Sequence, residues 1–331
     1  TTLSGGLDSS SIVYAAAGIL DREGQKGAIN TFTAIFPGMN ADESGFVREI
    51  EKDLGLNAIY TNPLAVFDFD DFERFVRHQD QPVPNTSMYA QWSVMKAVSQ
   101  SDVTVLLDGQ GGDELFGGYH HHFYKYGRSL VLAGKFKTLN KLVNDFCELK
   151  GWEPKQVKKT IYADAKLYLK LKLGSKLPGP PVATQWNAAH SLTEVLKLDI
   201  RSFVMPSLLR YEDRNSMAFS LEARLPFLDY RIVEFALSLP ESLKINEGWQ
   251  KYILRKAMPE MPDSIKWRKD KKGFTTPHAD WVKAHHERFS HYAKIGLEAF
   301  GSMPWEGKQL TELDSLQLFR LASLGAWIDL G

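Results

Sequence analysis

The sequence predicts an α/β fold, a parallel twisted sheet with flanking helices, extended by a mainly helical C-terminal part. Three observations predict it. Strand-like and helix-like segments alternate through the first third of the chain, as βα units require. From about residue 125 strand signals fade, lysines become frequent and apolar residues recur at helical spacing. Two glycine-rich stretches each follow a short apolar strand, at the carboxyl ends where parallel sheets take ligands.

The elements follow in order. Thr1 to Leu3 reads as the end of a strand, and Ser9 to Leu20 as an apolar helix. Asn30 to Phe36 (NTFTAIF) is β-branched and aromatic and is stopped by Pro37-Gly38, so it reads as a strand. Phe46 to Leu54 alternates charge and apolarity as an amphipathic helix, and Asn57 to Thr61 is another strand. Phe72 to Gln79 and Ser87 to Ser99 read as helices, and Val103 to Leu107 as a short strand. Gly174 to Pro181 (GSKLPGPP) is the most linker-like stretch. From Leu192 helices resume between prolines. The reading is one domain over residues 1–331, with an α/β core over 1–125 and a mainly helical remainder over 126–331.

Composition narrows the classes. Lys+Arg and Asp+Glu are both 40, so the formal net charge is zero. A balanced chain is not the expected profile of a nucleic-acid or membrane-surface binder. Hydrophobic residues make up 44%, enough for a sizeable core. Cys147 is the lone cysteine, so no internal disulfide framework exists and a cytoplasmic setting is expected. Apolar stretches such as Ser11 to Leu20 fall short of the roughly 20 residues that a membrane span needs. The opening Thr1-Thr2-Leu3-Ser4 has no Met and no basic leader. It reads as a strand entered midway, in a piece of a longer chain.

Chemistry concentrates at the two loops. Ser4-Gly5-Gly6-Leu7-Asp8-Ser9-Ser10 lies between a strand and a helix. Paired glycines let successive N–H groups point at one anion, and the helix adds its positive end. Ser4, Ser9 and Ser10 offer hydroxyls to phosphate oxygens, and Asp8 suits a Mg²⁺ held between carboxylate and phosphates. A glycine turn with a Ser/Asp helix cap is the plain alternative. The second loop runs from Asp108 to Tyr119 (DGQGGDELFGGY) after the strand ending at Leu107. Gly109 and Gly111 suit backbone wrapped on a ligand, and Asp113 supplies a second carboxylate for the metal. A surface loop capped by Asp113 and Glu114 is the alternative here.

No G-K-[ST] follows the first loop, so it is not a Walker loop. SGGLDSS resembles the PP-loop of the ATP pyrophosphatases, which split ATP between its α and β phosphates. Together with GQGGDELFGGY it resembles the synthetase domain of the glutamine-hydrolysing asparagine synthetases. Arg214 to Asp229 (RNSMAFSLEARLPFLD), Gln250 to Lys256 (QKYILRK) and Gly273-Phe274 with Pro277 and Trp281 resemble later segments of that family, in order.

The resemblance implies a PP-loop, adenine nucleotide α-hydrolase-like fold and an ATP-dependent ligase. A carboxylate attacks the α-phosphate to give an acyl-adenylate and pyrophosphate, and an amine then displaces AMP to form an amide. Aspartate, with ammonia from glutamine, is the substrate pair implied, in asparagine biosynthesis, with ATP and Mg²⁺ as cofactors. Lys251 matches the catalytic lysine. Ser4, Gly5, Gly6, Asp8, Ser9 and Ser10 match the pyrophosphate grip, and Leu3 and Ala34 the adenosine pocket. Asp8 and Asp113 match the metal ligands. Glu222 and Arg224 read as a buried ion pair bracing the site. A glutaminase domain or subunit is the implied partner, absent from this chain, with a homodimer as the assembly to test; neither nucleic acid nor membrane is expected.

Two positions depart from the family. Gln110 stands where a glutamate is usual, and an amide cannot act as a general base. Asp108 replaces a small hydroxyl residue near the implied aspartate site. A related amide, lactam or peptide-cyclising synthetase therefore stays open, as do a non-catalytic nucleotide-binding homologue and a tRNA-modifying pyrophosphatase. Cys147 reads as a half-buried structural residue in a helix. His120-His121-His122 reads as a polar helix start, since consecutive histidines on regular structure do not converge on one ion. His285-His286 reads the same way. Trp249, Trp267, Trp281, Trp305 and Trp327 read as core.

Overall fold

A computed structural model describes residues 1–25, 29–270, 273–300, 310 and 313–331. Its strands are short. β1 (Asn30–Ala34) pairs in parallel with β2 (Asn57–Thr61), in the register Asn30↔Asn57 to Ala34↔Thr61. β3 (Val105–Leu107) pairs in parallel with β4 (Glu222–Arg224). The Thr1–Leu3 segment joins the two ladders: Leu3 N–H donates to Phe32 O at 3.0 Å, and Thr2 N–H donates to Leu107 O at 3.1 Å. Regular pairing thus stops at two-strand ladders where the sequence suggests one broad twisted sheet, and helices form most of the chain. Strands of three to five residues leave little ladder to propagate, so packing of helices carries the fold.

The chain divides into two compact units, each built from separated segments. Thr1–Leu107, Tyr211–Arg224 and Lys272–Gly331 form the first. Its helices Leu7–Arg22, Ser44–Leu54, Phe69–His78 and Ser87–Val98 fall where the apolar periodicity puts them. Asp68 caps the third of these, accepting from Asp70 N–H at 3.2 Å. Phe72, Phe75, Tyr89, Trp92, Trp281, Phe289 and Phe319 pack into one buried aromatic cluster. Asp71 is buried inside it and is satisfied there: Tyr89 Oη–H and Trp92 Nε1–H donate to Oδ2 at 2.9 and 3.1 Å. Lys96 Nζ lies 3.1 Å from its Oδ1. Among the predicted core tryptophans Trp281 is 1% exposed, Trp327 is 39% exposed, and Trp305 lies outside the described residues. Trp327 sits near the end of helix Ser315–Leu330.

Asp108–Arg210 and Leu225–Lys271 form the second unit. Helices His120–Leu132, Phe136–Lys150 and Pro154–Lys172 pack around Phe123, Leu142, Phe146 and Ile161. Cys147 is more deeply buried than expected, at 4% exposure, as one of this cluster's small apolar residues. A hairpin of β5 (Ile245–Asn246) and β6 (Trp249–Gln250) turns at Glu247 and Gly248, with φ of 50° and 76°. A Cβ at Gly248 would lie 2.6 Å from the backbone carbonyl of Asp145, so only glycine lets the turn approach helix Phe136–Lys150.

Phe72→Ala should lower unfolding stability by about 3–5 kcal/mol, because it empties a ring site at the centre of the aromatic cluster. A urea melt followed by tryptophan fluorescence measures this; a loss under about 1 kcal/mol would show that the cluster collapses to fill the void.

Candidate active site

The first loop is built by strand-to-helix geometry. Leu3 is buried at the end of the opening extended segment, and its carbonyl accepts from Thr33 Oγ1–H at 2.7 Å. Gly5 has φ 71°, and a Cβ there would lie 2.8 Å from Phe46 Cβ, so the tight turn needs glycine. Gly6 ends the turn as N-cap of helix Leu7–Arg22, with no side-chain cap on that helix end. The first turn, which carries Asp8, therefore keeps backbone N–H groups for an anion. Ser9 Oγ ties the loop together, accepting from Ser4 N–H at 3.2 Å and lying 3.1 Å from Ser4 Oγ. Ser10 is placed differently from expectation. Its hydroxyl is fully buried and has no hydrogen-bond partner among the described residues. Ala34 closes β1 and is half-buried.

The second loop belongs to the other unit and is equally glycine-dependent. Gly109 N–H donates to Asp108 Oδ1 at 2.5 Å, and Gln110 is half-buried. Gly111 (φ 94°) and Gly117 (φ 72°) are left-handed and bracket the five-residue helix Gly112–Phe116. A Cβ at Gly111 would meet the Leu228 side chain at 2.7 Å. Asp113 and Glu114 do not cap an exposed loop. Glu114 is 1% exposed and accepts from Tyr119 Oη–H at 2.6 Å. Burial, followed by the adjacent Asp113 carboxylate, pushes Glu114 up to about 7.

Lys251 is the most unusual residue of this unit. It is 1% exposed, and its Nζ lies 2.5 Å from Asp113 Oδ1. Its φ of 54° puts a non-glycine residue in the left-handed region at the start of helix Tyr252–Lys256. Such a conformation costs about 1–3 kcal/mol and persists only where surroundings enforce it. Those surroundings can be named. Gln250 Nε2 donates to the carbonyls of Gly117 and Tyr119 at 3.1 and 2.6 Å, tying β6 to the backbone on either side of Gly118. A Cβ at Gly118 would fall on Asp113 Oδ1 and Lys251 Cε, so the ion pair lies directly over that missing side chain. Arg255 Nε donates to Gln250 O at 2.8 Å, with its guanidinium over the Trp249 ring. Sequence reasoning placed Lys251 but gave no role to Gly118, Gln250 or Arg255; the GGY and KxxLR contexts carried the signal.

Two expectations change. Glu222 and Arg224 do pair, at 2.8 Å, but their side chains are 60% and 61% exposed. They are alternate residues of the three-residue β4, so both point to the same, outward side. The histidine run does begin a helix, His120–Leu132, but it is not uniformly polar surface. His122 is fully buried, with Nε2 2.7 Å from Asp199 Oδ2, and Trp186 Nε1–H donates to Asp199 Oδ1. His121, stacked on Tyr119, is pulled down to about 3 by burial and then by His122 and Lys125, so it is a neutral imidazole.

Comparison with known proteins identifies the family. The asparagine synthase family model matches residues 1–298. The chain belongs to the asparagine synthase family. It is 29% identical over 304 residues to glutamine-hydrolyzing asparagine synthetase 1 of Bacillus subtilis, covering 85% of this chain and 46% of that protein. Asparagine synthetase 3 of the same organism is 27% identical, covering 86% of this chain and 46% of that protein. A Penicillium rubens protein named amidase chyE is 25% identical over 99% of this chain and 58% of its own length. The chain thus spans about half the length of these curated relatives. Its second loop, with the buried Asp113–Lys251 pair, lies within the matched residues.

Gly118→Ala should push Asp113 or Lys251 aside and cost about 1–3 kcal/mol of stability, the range for forcing one extra methyl into packed surroundings. Mass spectrometry after brief treatment with an amine-acylating reagent is the direct check: Lys251 should be protected in the parent chain and labelled in the variant. Equal protection in both would mean the pair tolerates the added methyl.

Proposed function

We propose that this chain is the ATP-dependent, amide-forming half of an asparagine-synthase-type ligase. The observation that carries the reading is the buried Lys251–Asp113 pair in a glycine-bracketed loop, in a chain that belongs to this family. The donor sets suit the cofactors. In its own unit each of Asp8 and Asp113 carries hard carboxylate oxygens of the kind Mg²⁺ takes; Gly5 and the first turn of helix Leu7–Arg22 offer N–H groups to phosphate, while the Gly6 N–H is held by Ser4 Oγ at 3.3 Å. Mg²⁺, when bound, neutralises charge on the departing pyrophosphate.

The reaction follows in two displacements. A carboxylate oxygen of the substrate attacks the α-phosphorus of ATP, the α–β bridging bond breaks, and pyrophosphate leaves with the bond's electron pair. Ammonia or an amine then attacks the acyl carbon of the adenylate, loses a proton and expels AMP. Neither step needs a covalent protein intermediate, so the protein acts by positioning and charge complementarity. Leu3 and Ala34 line the adenosine, Ser4 and Ser9 shape the loop against pyrophosphate, and Gly109 and Gly111 let backbone approach the nucleotide. Lys251 supplies a fixed cation where negative charge grows. Ser10, buried behind the loop, fits a supporting part better than a direct phosphate contact.

Gln110 sets the limit of the reading. It orients a nucleophile by hydrogen bonds and takes no proton from it. Aspartate with ammonia from a glutaminase partner is the leading substrate pair. Another carboxylate with its own amine is the second reading, favoured by Gln110, by Asp108 and by the amidase-named relative.

Pyrophosphate release from Mg–ATP with L-aspartate and free ammonium, products identified by mass spectrometry, tests the proposal. AMP, pyrophosphate and asparagine together are expected. ATP binding without pyrophosphate across a panel of carboxylates would overturn the ligase reading. Lys251→Met should cut pyrophosphate release roughly 10²–10³-fold, the scale for removing one charge-stabilising group, with ATP affinity little changed. Gln110→Glu should raise ammonia-dependent turnover on aspartate if this position selects the nucleophile; an unchanged rate would assign Gln110 to binding alone.

A further inference from the structure

The zero net charge averages over a strong local asymmetry. Residues 135–176 hold eleven lysines, no arginine and only four acidic residues. Helix Pro154–Lys172 concentrates it. Its inward face is Val157, Ile161, Ala165, Tyr168 and Leu171. Its one acid, Asp164, also turns inward, 2.7 Å from Lys125 Nζ and 3.2 Å from Arg128 Nη1. Lys155, Lys159, Lys166 and Lys170 are exposed and recur at helical spacing along the opposite side. None of the four forms a salt bridge among the described residues.

Lysines alone make a solvated face. Here large apolar side chains stand among them: Tyr162 is 46% exposed, Leu169 52%, and Leu173, just past the helix, 88%. A phosphate backbone would use the lysines and gain nothing from the leucines. An anionic lipid surface uses both, because ammonium groups meet headgroup phosphates while apolar side chains enter the acyl boundary and lysine stems extend back to the interface. We propose that the outward face of helix Pro154–Lys172 docks this chain on an anionic lipid surface. The helix would lie on the bilayer, since no described helix is long and apolar enough to cross one. The neutral balance that argued against a membrane-surface role does not describe this face.

The test is cosedimentation of the chain with phosphatidylcholine vesicles, with and without phosphatidylglycerol, at low and high salt. Binding to phosphatidylglycerol vesicles is expected, suppressed by salt and absent with phosphatidylcholine alone. Lys155→Gln, Lys159→Gln, Lys166→Gln and Lys170→Gln combined should weaken it about tenfold or more. Leu169→Ser with Leu173→Ser should weaken it at unchanged salt response, with circular dichroism confirming the fold of both variants. No binding, or binding indifferent to both variants, would overturn the proposal. So would capture by polyglutamate or single-stranded RNA without vesicle binding, which would assign the face to an acidic polypeptide or a nucleic acid.

Discussion

The ion pair between Lys251 and Asp113 sets the constraints on the second unit. An ammonium at 1% exposure has lost nearly all its water, and an unpaired buried charge of that kind destabilises a fold by several kcal/mol. Asp113 answers it at 2.5 Å, and that closeness dictates what surrounds it. Residue 118 has no room for a Cβ. The backbone on either side of it must be held in register with β6, which the Gln250 amide does through two carbonyls. Lys251 itself must take a left-handed backbone to aim its side chain there, and the hairpin turn behind it needs Gly248 to close on helix Phe136–Lys150. A chain of local sacrifices in backbone freedom thus serves one charge pair. Strain concentrated at a lysine that packing alone does not require is what the proposed role of Lys251 rests on.

The first loop solves a different problem with the same residue type. There the helix end has no side-chain cap: Gly6 occupies the N-cap, and Ser9 Oγ bonds to Ser4. Gly5 bends the chain against Phe46, and Thr33 anchors Leu3 to β1. The helix that begins here opens on Asp8 and three serines and then buries Ile12, Val13 and Tyr14, which fixes the direction of its positive end. Both loops owe their shapes to glycines, yet one leads into an uncapped helix end and the other buries a cation.

Local order was highly legible in the sequence. The helices Ser44–Leu54 and Ser87–Val98 and the strands Asn30–Ala34 and Asn57–Thr61 lie within a few residues of where periodicity and β-branching place them. What could not be read is long-range. β4 is three residues of a motif that reads as a helical surround, and it exists only because Thr104 and β3 offer it partners. The separation of the first unit into three segments, with residues 108–210 and 225–271 between them, leaves no trace in composition. The site shows the same boundary. Motifs singled out Asp113 and Lys251, which the fold pairs, but no spacing rule connects residues 113, 118 and 250, whose meeting depends on how the hairpin docks. The exposure of Glu222 and Arg224 and the burial of His122 were missed for the same reason, since a charged residue's side of a short element is decided by its neighbours in space.

Net charge is the coarsest of these sequence quantities, and the one most easily misread. A sum of zero arises equally from charges mixed over a surface and from charges segregated on it, but the two make different fields. At physiological ionic strength screening acts over about 8 Å, so an approaching surface feels the few lysines it faces and not the balance of the whole chain. The four exposed lysines of helix Pro154–Lys172 span about 22 Å along the axis, at 1.5 Å of rise per residue, and each lies within about 11 Å of the next. They face any flat anionic partner from one side of the helix, whose one acid, Asp164, turns inward. A surface role is therefore decided by distribution, which only the folded helix reveals.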